Sequence, residues 1–415
     1  MKVITLLLDG LGDRTYKELN NKTPLDYAFT PNLDKIAKIS QCGTLTPLSY
    51  GISLGTDLAH FLLFGYSTDE YPSRTIIDAY GEKINFDKND ILLRGSFANV
   101  KKENGYYIKD RFTPELNDSE IESLIPLLNR KCGNYNFQVI HSYDSHCFIK
   151  ISGENLSSKI SDSDPFYNNQ YAMLVEPFET EEEFPKKIAE IVNTYLKENY
   201  EILNNHSINI YRKSKNLPLA NFILTKWAGR KKEILSFEKK TGMSGLMIGK
   251  SKLLKGIAEV VKMEYKEYDN FEEGIEFALN SDKKYIHLHT KIIDTASHSK
   301  NIYNKIDAIE KIDKVIEPLI DFEGLLIVTA DHSTPCSGKM IHSGESVPFM
   351  GKGEFVRVDL VDKFTEIHCA QGSVNLEAKD FINYINNCRD EGKLYHLRSG
   401  NRSINYINRF INKLR

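Results

Sequence analysis

Three short apolar segments of this sequence each lead into an aspartate, and this pattern limits the possible fold more than any other feature. The segments are residues 3–8, 285–289 and 324–330, and the aspartates that follow them are Asp9, Asp294 and Asp331. Short segments rich in apolar and β-branched residues are typical of buried strands in a parallel sheet. Because ligands bind at the carboxyl ends of such strands, we expect the three carboxylates to lie at one edge of the sheet.

The stretch between the second and third segments has the periodicity of a helix. Residues 304–320 carry apolar side chains at helical spacing, which are Ile306, Ile309, Ile312, Ile316 and Leu319. A strand, a helix and a second strand in this order form a βαβ unit, so we predict an α/β fold with a mostly parallel sheet. Within the second segment, His287 and His289 are expected to have structural roles.

The middle of the chain has a different pattern. Residues 84–205 alternate short β-like segments with acidic polar stretches and contain one long amphipathic helical pattern near 181–203. We therefore predict an inserted α+β domain over 84–205, within a discontinuous core made of 1–83 and 206–415. Residues 221–224 are expected to form a strand of that core, and the basic C-terminal tail is expected to form a solvated helix.

The composition excludes several classes of function. The chain of 415 residues carries 54 Lys and Arg against 57 Asp and Glu, and this near balance removes the electrostatic reason to propose nucleic-acid binding. No apolar run approaches the roughly 18 residues of a membrane span, and the N-terminus lacks the long apolar region of a signal peptide. The six cysteines are scattered without a Cys-x-x-Cys pair, which is typical of reduced thiols in the cytoplasm. The sequence does not indicate an oligomeric state.

Three histidines accompany the aspartates near the predicted strand ends. His298 lies four residues after Asp294, His332 directly follows Asp331, and His342 comes ten residues later. Carboxylate and imidazole ligands together suit Mn²⁺, Zn²⁺, Fe or Co, with Mg²⁺ less favoured. Six such ligands, counting all three aspartates, exceed the needs of one open site and match a two-metal site for phosphoryl transfer. Each aspartate alone is also consistent with a helix cap or a turn, so this interpretation depends on their joint appearance.

Thr56 is a candidate nucleophile. It follows Gly55 after the flexible stretch 47–54 and precedes the apolar run 61–66. A hydroxyl at the start of a helix lies where backbone N–H groups favour a phosphoryl group, and a bound metal ion would activate it. The alternative is that Thr56 is an ordinary helix N-cap.

Taken together, the motifs resemble the archaeal-type cofactor-independent (2,3-bisphosphoglycerate-independent) phosphoglycerate mutases of the alkaline phosphatase superfamily, over about residues 1–385. The matching motifs are Asp9-Gly10-Leu11-Gly12-Asp13, Gly55-Thr56-Asp57-Leu58-Ala59-His60, Lys291-Ile292-Ile293-Asp294 with His298, Thr329-Ala330-Asp331-His332-Ser333-Thr334-Pro335, and His342-Ser343-Gly344. The resemblance implies an alkaline-phosphatase-like three-layer core with a mostly parallel sheet and an inserted α+β cap domain. It also implies a mutase that interconverts 2- and 3-phosphoglycerate through a phosphorylated hydroxyl; the family usually has serine at this position, whereas this chain has Thr56 and would form a phosphothreonine.

The resemblance further implies a role for each matching position. The expected ligands of one metal ion are Asp9, Thr56, Asp331 and His332, and those of the other are Asp294, His298 and His342. Thr56 would also accept the phosphoryl group, and the two divalent ions would be manganese, with zinc, cobalt and magnesium as alternatives. The partner would be a small phosphorylated acid. Its expected binding residues are Arg74, Asp110, Arg111, Asn209, Arg212 and Lys291.

Two loops depart from the pattern of the family. Residues 72–79 keep Arg74 but lack the family's two glycines, and residues 110–114 lack its second arginine. Each lost charge-assisted contact to an anionic substrate removes roughly 1.5–3 kcal/mol of binding free energy. Two alternatives to the mutase therefore stay open on the same site. One is a phosphomonoester or phosphonate hydrolase, or a mutase for another small phosphorylated or phosphonylated acid; the other is a non-catalytic metal-binding paralogue.

Overall fold

The computed structural model describes residues 1–178, 182–395 and 403–405, and the chain divides into two compact units. The larger unit consists of Met1–Tyr71 and Ile234–Arg415, and the smaller unit is Pro72–Glu233. The basic residues of the C-terminal tail, on which we predicted a solvated helix, lie outside the described residues. Among the described residues, no helix combines the length and the apolar character that crossing a bilayer requires.

The strands of both units are numbered in chain order. They are β1 (Val3–Leu8), β2 (Gln41–Thr46), β3 (Ile91–Lys102), β4 (Tyr106–Asp110), β5 (Arg130–Cys132), β6 (Tyr135–His141), β7 (His146–Ser152), β8 (Gln170–Tyr171), β9 (Phe222–Gly229), β10 (Gly245–Ile248), β11 (Glu264–Lys266), β12 (Tyr285–Thr290), β13 (Leu325–Thr329), β14 (Val347–Lys352), β15 (Val374–Glu377), β16 (Lys393–Tyr395) and β17 (Ser403–Asn405).

The α-helices are numbered in the same way. They are α1 (Pro24–Tyr27), α2 (Pro31–Ala37), α3 (Thr56–Leu63), α4 (Arg74–Gly81), α5 (Asp118–Leu128), α6 (Glu183–Asn204), α7 (Ser207–Ser214), α8 (Phe237–Thr241), α9 (Lys252–Val261), α10 (Phe271–Asn280), α11 (Ile292–His298), α12 (Ile302–Val315), α13 (Glu366–Cys369) and α14 (Phe381–Cys388). Short 3₁₀ turns lie at Lys17–Leu19, Glu317–Leu319 and Ala378–Asp380.

The larger unit is built around one eight-stranded sheet. The strand order is β11-β10-β12-β1-β13-β14-β2-β15; the strands from β11 to β13 are parallel, and β14 runs antiparallel to both of its neighbours. Every side chain of β1, β12 and β13 is buried, because helices cover both faces of the sheet. The predicted α/β fold with a mostly parallel sheet is therefore confirmed.

The βαβ unit predicted from the sequence is present, and it brings the three aspartates to one edge. Helix α12 connects the region after β12 to β13 and buries the predicted stripe at Ile306, Ile309 and Ile312. Strand β1 pairs in parallel with β12 on one side and with β13 on the other. The loops that leave the carboxyl ends of these strands, with their aspartates, are consequently neighbours.

The smaller unit contains an antiparallel sheet with helices packed on it. Its strand order is β5-β6-β7-β3-β4-β8, and β9 also pairs with β3. The long helix predicted near 181–203 is α6, which buries Ile188, Val192 and Leu196 in the same core cluster as Ile121 and Leu124 of α5.

One strand lies in a different sheet from the one we expected. The predicted core strand at 221–224 is the beginning of β9, which pairs antiparallel with β3 along most of its length. Its residues Phe222, Ile223 and Leu224 are buried in the hydrophobic cluster of the smaller unit. The smaller unit therefore begins at Pro72 and ends at Glu233, whereas the sequence pattern placed the inserted domain over 84–205.

Candidate metal centre and active site

The first candidate metal group consists of Asp9, Asp331 and His332. Asp9 follows β1, and the other two follow β13. His332 Nε2 lies 3.4 Å from Asp9 Oδ1 and 3.3 Å from Asp331 Oδ2. All three side chains are buried, and each offers one ligand atom within 4.8 Å of the others. The spacing allows the three residues to bind one ion together.

The carboxylates of this group are poorly satisfied by the protein itself. Both carboxylate oxygens of Asp9 and Oδ2 of Asp331 are buried without a hydrogen-bond partner among the described residues, while Asp331 Oδ1 accepts the Gly10 N–H at 3.3 Å. Leaving a polar group buried without a hydrogen bond costs about 1–3 kcal/mol of stability, and the cost is larger for a charged group. A divalent cation would satisfy all three oxygens, so the donor set fits a metal ion.

The second candidate metal group consists of Asp294, His298 and His342. Helix α11 places His298 one turn after Asp294, and His298 Nε2 lies 3.2 Å from Asp294 Oδ1. His342 Nε2 lies 3.9 Å from the same oxygen. His342 Nδ1 donates to the Leu54 carbonyl at 2.8 Å, so Nε2 of the neutral ring carries the free lone pair that a metal ligand needs.

The two groups are in contact. The Thr334 hydroxyl donates to Asp294 Oδ1 at 2.9 Å, and its oxygen lies 3.1 Å from His332 Nδ1. Because that hydroxyl proton is used for Asp294, the contact with His332 requires a proton on Nδ1, which leaves Nε2 free as a ligand. The rings of His332 and His342 also stack at 3.8 Å. This arrangement suits two ions held close together.

The protonation states of both groups favour cation binding. Burial, and then the neighbouring His342, lower the pKa of His332 well below its usual value. Burial, and then the charge of Asp294, raise the pKa of Asp9 to about 8. Although burial opposes it, the hydrogen bond from His298 lowers the pKa of Asp294. Neutral imidazoles beside crowded carboxylates are the state that a divalent cation stabilises, with release of the proton from Asp9.

Thr56 lies beside the first group. It is the first residue of α3 and is buried, and its Oγ1 lies 3.3 Å from His332 Nε2. The N-cap of α3 is Gly55 and not Thr56, so the alternative interpretation of Thr56 as an N-cap is wrong. His60 donates from Nδ1 to the Thr56 carbonyl at 2.6 Å and thereby holds the first turn of the helix.

Two neighbours of the first group were missed by the sequence analysis. His289, which we expected to be structural, places Nε2 at 3.2 Å from Asp9 Oδ2. Lys305 is completely buried, and its three N–H donors are shared among four acceptors at 2.9–3.0 Å: the carbonyls of Gly10, Gly12 and Thr334, and Asp13 Oδ2. It thus fixes the loops after β1 and β13. The sequence signal for Lys305 is its position four residues before Ile309 and seven before Ile312, on the apolar face of α12.

The predicted substrate-binding residues have varied surroundings. In the larger unit, the half-exposed Lys291 places Nζ 3.7 Å from Asp294 Oδ2. In the smaller unit, Arg74 Nε donates to Asp78 at 3.0 Å, and Asp110 accepts from Asn99 at 2.8 Å. Arg111 forms a bidentate pair with Asp164, at 2.7 and 2.6 Å. Lys291 therefore lies beside the second candidate metal group, within the larger unit.

Asn209 and Arg212 form hydrogen bonds within the smaller unit. Both are buried, and Asn209 bonds to the backbone of Leu203 and Ala220. Arg212 donates to Glu120 and to the carbonyls of Pro114, Glu115 and Pro218. These partners occupy most of the hydrogen-bonding capacity of both side chains, and the role of the two residues in substrate binding stays a prediction.

The fold and the carboxylate–imidazole groups together define a class of metal-dependent enzyme. A family model described as "Metalloenzyme superfamily" matches residues 1–386, and the chain belongs to that superfamily. Within it, the chain belongs to the family of the archaeal 2,3-bisphosphoglycerate-independent phosphoglycerate mutases. The predicted resemblance is therefore confirmed.

Relatives of known name support this placement. The phosphoglycerate mutase 2 of Methanocaldococcus jannaschii is 46% identical, over 98% of this chain and 97% of its own length. The phosphoglycerate mutase of Methanococcus maripaludis is 34% identical, over 90% of this chain and 94% of its own length. Among solved structures, a Pyrococcus horikoshii protein aligns with a TM-score of 0.73 and 27% identity, over 94% of this chain and 97% of that one. The cofactor-independent phosphoglycerate mutase of Thermoplasma acidophilum aligns with a TM-score of 0.64 and 28% identity, over 93% of this chain and 99% of that one.

Proposed function

We propose that this protein is a phosphoryl-transfer enzyme that interconverts 2- and 3-phosphoglycerate through a phosphothreonine at Thr56. The observation that carries the proposal is the position of the Thr56 hydroxyl, which belongs to the first residue of α3 and lies 3.3 Å from His332 Nε2 of the first candidate metal group. The names of the relatives, which are phosphoglycerate mutases, support the choice of substrate.

The proposal gives the two groups separate tasks. Asp9, Asp331, His332 and Thr56 would hold one divalent ion, and Asp294, His298 and His342 would hold the other, with manganese as the favoured metal. Two such ions, when bound, supply positive charge that lowers the pKa of a hydroxyl nucleophile and balances the charge on phosphoryl oxygens.

The remaining steps belong to residues of this chain. The deprotonated Thr56 oxygen attacks phosphorus, the P–O bond to glycerate breaks, and the phosphoryl group later returns to the other hydroxyl of glycerate. The first-turn N–H groups of α3 face a phosphoryl group on Thr56, and the ammonium of Lys291 offers a charge to an anionic substrate. We also propose that the smaller unit is the cap that excludes water, and that the enzyme acts in the cytoplasm, where its six free, buried cysteines would stay reduced.

A single assay tests the reaction. We expect the Mn²⁺-loaded protein to convert 3-phosphoglycerate to 2-phosphoglycerate with little free phosphate, when both products are followed together. The hydrolase alternative has one observation in its favour, since Arg111 is neutralised by Asp164 and Arg212 by Glu120. Phosphate without 2-phosphoglycerate would establish that alternative. Neither product, from protein that holds its metals, would contradict phosphoglycerate as the substrate.

The metal assignment predicts a pH-dependent stabilisation. In the metal-free protein, Asp9, with its pKa near 8, keeps a proton that the unfolded chain has lost, so the free energy of unfolding falls as the pH rises toward 8. A bound metal ion would displace this proton, and the free energy of unfolding would then no longer fall with pH on account of Asp9. Between pH 6.5 and 8, above the lowered pKa values of His60 and His289, we expect the stabilisation by Mn²⁺ to grow by up to about 2 kcal/mol.

The measurement is chemical unfolding with and without Mn²⁺ at both pH values. As a control, Asp9→Asn in the metal-free state should show a smaller loss of stability over this range, because the titrating carboxyl is gone. A gain from Mn²⁺ that is equal at the two pH values would contradict the assignment of Asp9 as a ligand.

A further inference from the structure

The smaller unit contains a groove whose charged side chains are all lysines. The groove has a volume of about 560 Å³ and lies between the ends of β3 and α6, strand β4, and the segment that leads from α7 to β9. Its lysines are Lys101, Lys102, Lys109 and Lys213, and no aspartate or glutamate lines it. None of its lining residues belongs to the candidate metal groups.

Two of the four charges are uncompensated. Lys101 pairs with Glu103 at 2.6 Å, and Lys102 pairs with Glu201 at 2.5 Å. The ammonium groups of Lys109 and Lys213 form neither an ion pair nor a hydrogen bond with any described residue, and both side chains are exposed. The whole chain has a net charge of −3, so the positive charge of this groove is opposite in sign to that of the protein as a whole. This local positive charge favours an anionic ligand.

The uncharged lining indicates what kind of anion the groove accepts. Its volume is within the range of small-molecule sites and far exceeds that of a single phosphate. Leu217 and Leu219, which are partly exposed, supply apolar surface, and Asn204 supplies an amide. Asn221 is held by Val100 and donates to Asn204 Oδ1 at 3.0 Å, so the Asn204 amide is oriented while its Nδ2 has no partner in the described part of the chain. Apolar faces beside oriented amides suit a nucleobase.

We propose that this groove binds a nucleoside di- or triphosphate, with the phosphates at Lys109 and Lys213 and the base against Leu217 and Asn204. The ammonium groups of Lys109 and Lys213 form no ion pair in the described part of the chain. No existing ion pair therefore has to break when an anion binds, and the binding free energy is not reduced by that cost. This binding is additional to the proposed mutase reaction and does not depend on it.

The test is calorimetric titration of the full-length, Mn²⁺-loaded protein with ADP and, separately, with inorganic pyrophosphate. We expect ADP to bind in the micromolar range, and K109E/K213E to weaken it by at least about tenfold, because two attractive charges become repulsive. The matched control is K186E/K197E, which changes the same charge in a groove of about 540 Å³ that also contains Glu176 and Glu190. We expect this control to leave ADP affinity unchanged, and thermal unfolding checks that both variants fold.

Three outcomes would overturn the proposal. The first is that ADP does not bind at millimolar concentration. The second is that the groove variant and its control lose the same affinity, which would indicate a general charge effect or binding at the metal centre. The third is that pyrophosphate binds as tightly as ADP, which would leave no role for the base. Mutase activity has no part in these readouts, so failure of the proposed function would not affect them.

Discussion

Thr56→Ala is expected to lower the turnover of phosphoglycerate by about 10³-fold or more, because the variant has no hydroxyl to accept the phosphoryl group. The structure predicts that the fold survives this change. Gly55, and not Thr56, is the N-cap of α3, and alanine is favourable in the first turn of a helix. Steady-state kinetics and metal analysis of the same preparation measure the two effects separately.

The matched control is Thr56→Ser, which keeps the hydroxyl at the same backbone position. We expect this variant to retain most of the activity. Rapid quenching followed by mass spectrometry should detect phosphate on residue 56 in the natural protein and in Thr56→Ser, and none in Thr56→Ala. Substantial turnover by Thr56→Ala with both metal ions bound would remove Thr56 as the nucleophile and require another acceptor.

The metal groups were predictable because their geometry follows from strand order. Asp9 and Asp331 directly follow buried strands, and parallel neighbouring strands bring their carboxyl ends together whatever the details of packing. His298 was predictable for a similar local reason, since a helix places residues four apart on one face. Backbone geometry alone therefore places these ligand atoms close together.

The partners of long polar side chains were not predictable in this way. Arg212 matched a family motif, yet its guanidinium binds Glu120 and three carbonyls within the smaller unit. In a sequence, a buried framework arginine and a substrate-binding arginine look the same, because only the tertiary partner distinguishes them. Strand β9 was misplaced for a related reason, since an apolar run fits either sheet and its periodicity does not identify the strand beside it.

Lys305→Met is expected to lower the free energy of unfolding of the metal-free protein by about 3–5 kcal/mol, because removing one partner of a buried ion pair leaves the other unpaired. Here the loss includes Asp13 Oδ2, at 3.0 Å, and the carbonyls of Gly10, Gly12 and Thr334. Because those carbonyls belong to the loops that carry Asp9 and His332, metal affinity should fall as well.

Lys311→Met is the matched control for this prediction. It removes the same charge from the same helix, but Lys311 is exposed and has no ion pair in the described part of the chain, so its effect should stay within about 0.5 kcal/mol. Urea unfolding measures stability, and titration of the folded variants with Mn²⁺ measures affinity. If Lys305→Met lost stability but bound Mn²⁺ as tightly as the natural protein, the lysine would stabilise the fold without positioning the metal ligands. If it lost neither, the contacts of the ammonium with its four oxygen acceptors would contribute nothing that a buried thioether does not.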